Sequence, residues 1–208
     1  MDYTKFYYIF PPRPENTIPS EAIEVFDDGT FIAQPKLNGS CCLIFTNGKE
    51  FFCMNRHQER LTNVQIMDEL LSLHRGDGWM VLVGEYLNKS KLDENNNLFN
   101  HKFVLFDILV YNNKYLLGTT FLERQHLLDE IYKLEEYNSY LFKISDNTYR
   151  VKNFMSNFTK LWNEIVKIDV FEGFVFKRKK APLEIGTSQK NNTKSQLKCR
   201  KKTKNYKF

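Results

Sequence analysis

Short apolar runs separated by turn signals constrain the fold of this chain more than any other feature. Runs rich in Val, Ile, Phe and Tyr, bounded by Gly, Asn and Asp, are typical of β-strands. The segment Thr46-Asn-Gly-Lys49 joins two such runs and predicts a tight hairpin. The runs predict strands at 31–37, 41–46, 50–54, 79–87, 102–111, 140–144, 149–152, 173–178 and 196–201.

Three other segments space their apolar residues for one face of a helix. Thr62-x-x-Gln65 and Thr120-x-x-Glu123 match the capping-box pattern, which predicts helices from there to about residues 76 and 136. A third helix is predicted at 156–168, and the proline-rich residues 1–30 are predicted to be irregular. Because strands outnumber helices and hairpins dominate, we expect an α+β fold with antiparallel sheets flanked by helices.

Composition predicts one globular domain over residues 1–208, with no separate C-terminal domain. No apolar run approaches the roughly 18 residues that cross a bilayer, and no signal peptide is evident. The four cysteines form no C-x-x-C pair, which favours reduced thiols and a cytoplasmic location.

Charge is concentrated at the end of the chain. Residues 177–208 carry 12 Lys or Arg against one acid, which indicates a polyanionic partner. The alternative is a solvated tail. Four residues interleaved with the charges, Leu197, Cys199, Tyr206 and Phe208, favour a folded element.

Lys36 is the first candidate functional residue. It follows an apolar run and precedes Gly39, so its amine is expected beside backbone that a ligand can approach closely. Taken alone, this segment is also compatible with an ordinary surface lysine at a turn.

Two acids lie where acids are costly. Glu85 and Glu172 interrupt apolar strands beside glycines, and Asp107 lies in a third such strand. A carboxylate buried on both faces of a sheet needs a cation, a metal or a ligand, unless it faces solvent from an open face. Lys198 and Arg200 alternate, so they share one face of a strand.

These residue types together suit phosphoryl transfer. An amine attacks phosphorus only when it is deprotonated, and nearby cations favour the neutral form. Cations and a metal also neutralise charge on the phosphoryl oxygens during transfer.

Six motifs, in order over about residues 31–202, resemble the covalent nucleotidyltransferase superfamily of ATP-dependent DNA ligases, RNA ligases and GTP-dependent mRNA capping enzymes. They are Lys36-Leu-Asn-Gly39, Asn55-Arg56, Gly84-Glu85-Tyr86, Phe106-Asp107-Ile108, Glu172-Gly-Phe-Val-Phe-Lys177 and Leu197-Lys-Cys-Arg200. The likeness is closest to phage-type and RNA-editing RNA ligases, through Asn38, the F-D-I element and the L-K-C-R-K-x-x-K ending. It implies an ATP-grasp-like ligase adenylation domain.

The resemblance also implies a role for each motif residue. Lys36 would form a lysyl–AMP intermediate from ATP, with Lys198 and Arg200 as further catalytic residues. The nucleotide contacts would be Gln34 on the adenine edge, Phe106 stacked on adenine, Glu85 on the ribose, Arg56 on a phosphate or the ribose, and Lys177, Lys198 and Arg200 on phosphates. Glu172 would hold magnesium through its hydration shell, with manganese as an alternative.

The implied function is ATP-dependent RNA repair: a monomeric ligase that joins 5′-phosphate and 3′-hydroxyl ends in nicked duplexes or single strands. A small DNA ligase, a capping guanylyltransferase and a nucleic-acid-binding module without chemistry remain alternatives. Asn38, Cys41 and Arg200 depart from residues that are common in relatives. Relatives continue into a further small domain, so the sequence leaves open a minimal enzyme or one part of a longer protein.

Overall fold

The structure is a computed structural model that describes Tyr3, residues 8–186 and residues 191–202. Its strands are β1 (Arg13–Thr17), β2 (Phe31–Leu37), β3 (Ser40–Thr46), β4 (Phe51–Met54), β5 (Met80–Leu87), β6 (Lys102–Tyr111), β7 (Lys114–Tyr115), β8 (Glu135–Glu136), β9 (Leu141–Lys143), β10 (Thr148–Val151), β11 (Phe171–Arg178) and β12 (Asn192–Arg200). Its helices are α1 (Met67–Leu71), α2 (Phe121–Ile131) and α3 (Phe158–Ile165), with a 3₁₀ helix at Ser20–Phe26.

The strands form two sheets. The smaller has the order β1-β12-β11-β2, and the larger has the order β4-β3-β5-β6-β10-β9-β8, with β7 paired to β6. Most neighbours are antiparallel, and the predicted α+β class with sheets flanked by helices is confirmed. Two pairs, β1 with β12 and β6 with β10, are parallel and were not expected. Parallel neighbours need a long crossover, and the segment that contains α2 provides it between β6 and β10.

Apolar side chains cover both faces of the larger sheet. One face packs against α1 and α2 through Leu70 and Leu128, and the other packs against the N-terminal segment through Tyr8. A further cluster joins the two sheets to α3. Burial on both faces explains why β5 and β6 read as nearly continuous apolar runs. In the described residues no helix is long and apolar enough to cross a membrane, and all four cysteines are unpaired.

The N-terminal prediction was wrong. Residues 13–17 form β1, and Ser20–Phe26 form a 3₁₀ helix, where irregular chain was expected. Proline is compatible with an edge strand, which is the position β1 occupies. At the other end, β12 begins four residues before the predicted strand. Residues 187–190 of the predicted polar loop, and Tyr206 and Phe208 of the basic segment, lie outside the described residues.

The first predicted helix is largely absent. Only Met67–Leu71 is helical, and no capping box forms at Thr62, because the backbone amide of Gln65 donates to the hydroxyl of Tyr86 at 3.0 Å. The capping box between Thr120 and Glu123 is confirmed. The helix that it begins nevertheless ends at Ile131, and Glu135–Glu136 pair with β9 instead of continuing it. Helix α3 covers Phe158–Ile165, which is also shorter than predicted. Tertiary pairing overrides helix propensity at these ends.

Candidate active site

A cavity of about 550 Å³ opens between the two sheets. The smaller sheet supplies one wall through β2, β11 and β12, and the larger sheet supplies another through β3, β5 and β6. All nine predicted site residues line it: Gln34, Lys36, Arg56, Glu85, Phe106, Glu172, Lys177, Lys198 and Arg200. The fold therefore brings the predicted constellation together.

Strand register sets the order of side chains along the smaller sheet. Lys36 and Arg200 both pair with Gly173, and Gln34 and Lys198 both pair with Val175 two positions further along β11. Paired residues on neighbouring strands project to the same face of a sheet. The amine, two cations and an amide are thus presented together.

Glu172 reaches the same cavity through an irregularity in β11. The register between β11 and β2 shifts between Phe171 and Gly173, and Gly173 has φ +143°. A bulge of this kind re-aims a side chain that regular alternation would send to the opposite face. A Cβ at Gly173 would lie 2.2 Å from the carbonyl oxygen of Cys199, so only glycine fits there. As a result, Nζ of Lys36 donates to Oε2 of Glu172 at 2.6 Å.

Glu85 faces Lys36 from the larger sheet. Its Oε1 accepts a hydrogen bond from the backbone amide of Gly39 at 3.0 Å. A Cβ at Gly39 would lie 2.5 Å from the carbonyl oxygen of Tyr86, so the close approach requires glycine. Burial raises the pKa of Glu85, and the positive charge of Lys36 opposes that rise. A carboxylate held in this way suits the hydroxyl groups of a sugar.

Cations line the cavity near Lys36. Partial burial lowers the pKa of Lys198, and the positive charges of Arg200, Lys36 and Arg13 lower it further. Arg56 lies in the exposed turn after β4, where its Nε donates to Nε2 of His57 at 3.0 Å. Closely spaced cations favour an anion in the space between them.

Arg13 is a functional candidate that the sequence analysis missed. It lies on β1, lines the cavity, and acts electrostatically on Lys198 and Cys41. The available signal was one arginine among three prolines, which does not reveal a strand that pairs with β12. The placement depends on a parallel pairing between the two ends of the chain, which local patterns do not reveal.

Lys177 lines the cavity beside two aromatic rings. Nζ of Lys177 lies 4.9 Å from the ring centroid of Phe106 and 4.7 Å from that of Phe121. Burial lowers the pKa of Lys177 to about 8. Lys177 pairs with Ile32, four positions along β2 from Lys36, or about 13 Å at the usual rise per residue.

The resemblance implies that the amine of Lys177 contacts the phosphates of the nucleotide. The structure places this amine against Phe106, the residue expected to stack on the base. Its contact with the phosphates stays a prediction.

Asp107 proves to be a structural residue. Oδ1 of Asp107 accepts from Nε of Arg124 at 2.8 Å, and Oδ2 accepts from Nη2 at 3.1 Å. The residues are 2% and 3% exposed, so this two-point ion pair satisfies the buried carboxylate without a metal or ligand. Cys41 lies opposite Glu85 in the strand register. Burial raises the pKa of its thiol to about 12, which keeps it protonated.

A magnesium ion fits the site as a partner of bound phosphates. Among the described residues, no three His, Cys, Asp or Glu side chains cluster as metal ligands. Magnesium commonly binds through one or two protein carboxylates together with substrate phosphates. Glu172 and Glu85, which both line the cavity, are compatible with that arrangement.

Comparisons with known proteins agree with this fold. The sequence profile of the ATP dependent DNA ligase domain matches residues 15–196. The ligase domain of LigD from M. tuberculosis superposes with a TM-score of 0.63 at 14% identity, over 91% of this chain and 58% of that one. Mycobacterial DNA ligase D complexed with ATP gives 0.62 at 14% identity, over 92% and 60%. The Chlorella virus DNA ligase-adenylate gives 0.51 at 15% identity, over 90% and 67%. No curated protein matched the sequence.

The chain therefore belongs to the ATP-dependent DNA ligase domain family, within the covalent nucleotidyltransferase superfamily of ATP-dependent ligases. Its fold is the ligase nucleotidyltransferase fold. The chain spans about three fifths of the length of the two mycobacterial ligase chains.

Proposed function

We propose that this protein is an ATP-dependent polynucleotide ligase in which Lys36 carries the nucleotide. The observation that supports this most directly is the Lys36 amine, 2.6 Å from Glu172, inside a cavity lined by Glu85 and several cations. The ATP and adenylate named for the mycobacterial and Chlorella virus structures support ATP as the cosubstrate.

In the first step, the ammonium group of Lys36 gives one proton to Glu172, and the resulting amine attacks the α-phosphorus of ATP. A phosphorus–nitrogen bond forms, the bond to the β-phosphate oxygen breaks, and pyrophosphate leaves with the electron pair. Glu172 holds the amine on the cavity face and accepts this first proton, which is a carboxylate's usual role in general base catalysis. The second proton leaves the nitrogen to solvent as the phosphorus–nitrogen bond forms. Lys198 and Arg200 would neutralise the phosphate oxygens.

In the later steps, AMP passes from Lys36 to a 5′-phosphate end, and a 3′-hydroxyl then displaces AMP to close the strand. The exposed turn at Arg56 lies at the cavity and would contact the incoming phosphate. Magnesium, with manganese as an alternative, would be held by Glu172 together with substrate phosphates, and it would neutralise their charge.

The class of strand has two candidates. The profile match over residues 15–196 supports DNA, and we place nicked duplex DNA first. RNA, the substrate expected from the sequence, is supported by Asn38 in the nucleophile motif, and it stays a prediction. A capping guanylyltransferase is the third outcome that an experiment should separate.

Intact mass after incubation with magnesium and ATP or GTP tests the proposal. We expect an added AMP on the wild-type protein, no added GMP, and no adduct on a Lys36→Ala variant. A stable GMP adduct would favour capping, and no adduct with either nucleotide would favour a binding module. Nicked duplexes with DNA or RNA on the 3′-hydroxyl side then identify the strand that is sealed.

A further inference from the structure

Gln34 lies at the cavity wall with one half of its amide fixed. The residue is 2% exposed. Its Nε2 donates to Oδ1 of Asn153 at 2.8 Å, to Oε1 of Gln125 at 3.2 Å and to the carbonyl oxygen of Phe106 at 3.4 Å. Its Oε1 is buried and has no hydrogen-bond partner among the described residues. A buried acceptor without a hydrogen-bond partner is destabilising, so a donor from a ligand would relieve it.

Gln125, on α2, determines which way the Gln34 amide points. Nη2 of Arg150 can only donate, and it lies 3.4 Å from Oε1 of Gln125 and 3.0 Å from its backbone oxygen. Nε2 of Gln125 donates to the carbonyl oxygen of Phe106, which can only accept, at 3.2 Å. These two neighbours fix the orientation of the Gln125 amide.

Asn153 links the Gln125 amide to the Gln34 amide and so fixes the orientation of Gln34. Nδ2 of Asn153 donates to Oε1 of Gln125 at 3.2 Å, which leaves Oδ1 of Asn153 as an acceptor for Gln34. A flipped Gln34 amide would set its oxygen against three acceptors. The network therefore keeps Nε2 of Gln34 inward and leaves Oε1 as the unpaired group.

We propose that Gln125 is a positioning residue that orients the Gln34 amide and thereby makes the cavity select a 6-aminopurine nucleotide over a 6-oxopurine nucleotide. The inference rests on the proposed function, because it assigns the base end of that same cavity. The 6-amino group of adenine donates to an orphaned oxygen, whereas the 6-oxo group of guanine would face it as a second acceptor. Sites with buried, unpaired polar groups discriminate strongly against a ligand that leaves them unpaired.

Gln125→Met tests the proposal because it keeps the volume and removes both polar atoms. Equilibrium binding of ATP, GTP and purine riboside triphosphate, which lacks the 6-amino group, is measured on wild type and variant, alongside the rate of adduct formation. Gln125→Glu keeps the acceptor for Gln34 but loses the donor to Phe106. His126→Ala, the exposed neighbour on α2, controls for changes to that helix.

In the wild type we expect ATP to bind much more tightly than both other nucleotides. Gln125→Met should reduce this preference about tenfold, roughly the value of one well-placed hydrogen bond. It should raise the KM for ATP while the adduct rate at saturating ATP changes less than about twofold, because Lys36 is untouched. Gln125→Glu should retain more of the preference, and His126→Ala all of it.

Three results would overturn the inference. They are an unchanged preference in a folded Gln125→Met variant, an equal loss of binding for all three nucleotides, and a wild type that binds no purine triphosphate. A wild type that prefers ATP in binding but forms no adduct would reject the proposed ligase chemistry alone. The two proposals therefore fail separately.

Discussion

The amine of Lys36 lies 2.6 Å from Oε2 of Glu172, although 136 positions separate the two residues in the chain. The contact depends on β2 pairing with β11 and on the irregular register at Gly173, which turns Glu172 towards the cavity. The ion pair holds the nucleophile in place on the cavity face. It also supplies a group that can receive the proton of the attacking amine.

The first prediction separates these two roles. Lys36→Arg should keep the ion pair and the thermal stability but form no AMP adduct, because a guanidinium does not deprotonate. Glu172→Gln should keep the shape and reduce the adduct rate about a hundredfold, as is typical for loss of a positioned proton acceptor. Intact mass and single-turnover rates at saturating ATP provide the measurement. A Glu172→Gln protein that labels at the wild-type rate would exclude the proposed role.

The second prediction concerns Arg13, which lines the cavity from β1. Arg13→Ala should weaken ATP binding about tenfold, the usual value of one charge-assisted hydrogen bond to a phosphate. Arg13→Lys should weaken it less, because the charge remains. Calorimetry at two salt concentrations measures the effect, with Lys160→Ala on the exposed face of α3 as a control. Unchanged affinity in Arg13→Ala would show that this arginine does not contact the nucleotide.

Comparison of Arg13 with Glu85 shows which site residues can be predicted from the sequence and which cannot. Glu85 interrupts an apolar run, and a costly residue in such a place is recognisable without a structure. The same is true of Glu172 and of the alternating Lys198 and Arg200. All of them line the cavity. Each of these residues can be recognised from the pattern of its own strand.

Arg13 carries no such signal, because its place depends on β1 pairing with β12 almost 180 residues later. The predicted start of the first helix was wrong for a related reason. The backbone amide that a cap at Thr62 would need donates instead to the hydroxyl of Tyr86, on another strand. The buried partner of Asp107 was likewise invisible, since Arg124 reads as an ordinary surface residue of an amphipathic helix. Local patterns do not contain these long-range pairings.

The third prediction tests the Asp107–Arg124 pair as a structural element. Asp107→Asn and Arg124→Met should each lower the free energy of unfolding by about 3–5 kcal/mol, because each leaves the other residue buried without its partner. The double variant should lose less than the sum of the two. Urea unfolding measures all three. Asp146→Asn, which removes an exposed ion pair with Lys143, should leave the midpoint almost unchanged. Additive losses would contradict the coupling.

The fourth prediction follows from Lys177, whose pKa is lowered to about 8 by burial beside Phe106 and Phe121. An unfolded lysine titrates near 10.4, so between about pH 8 and pH 10.4 the unfolded chain binds more protons at this residue than the folded chain. The Lys177 contribution to stability therefore rises with pH across that window. That contribution is lost as the pH falls from about 10.4 to about 8. Below about pH 8 both states are charged, and the folded state bears the cost of burying the charge.

Lys177→Met isolates this contribution, since it keeps a long side chain between the two rings and removes the charge. The unfolding free energy of wild type minus that of Lys177→Met should shift in favour of the wild type by about 3 kcal/mol from pH 7.5 to pH 10.5. Urea unfolding at several pH values gives both curves, and other lysines and tyrosines cancel in the difference. Parallel curves would mean that Lys177 is as readily charged in the folded protein as in water.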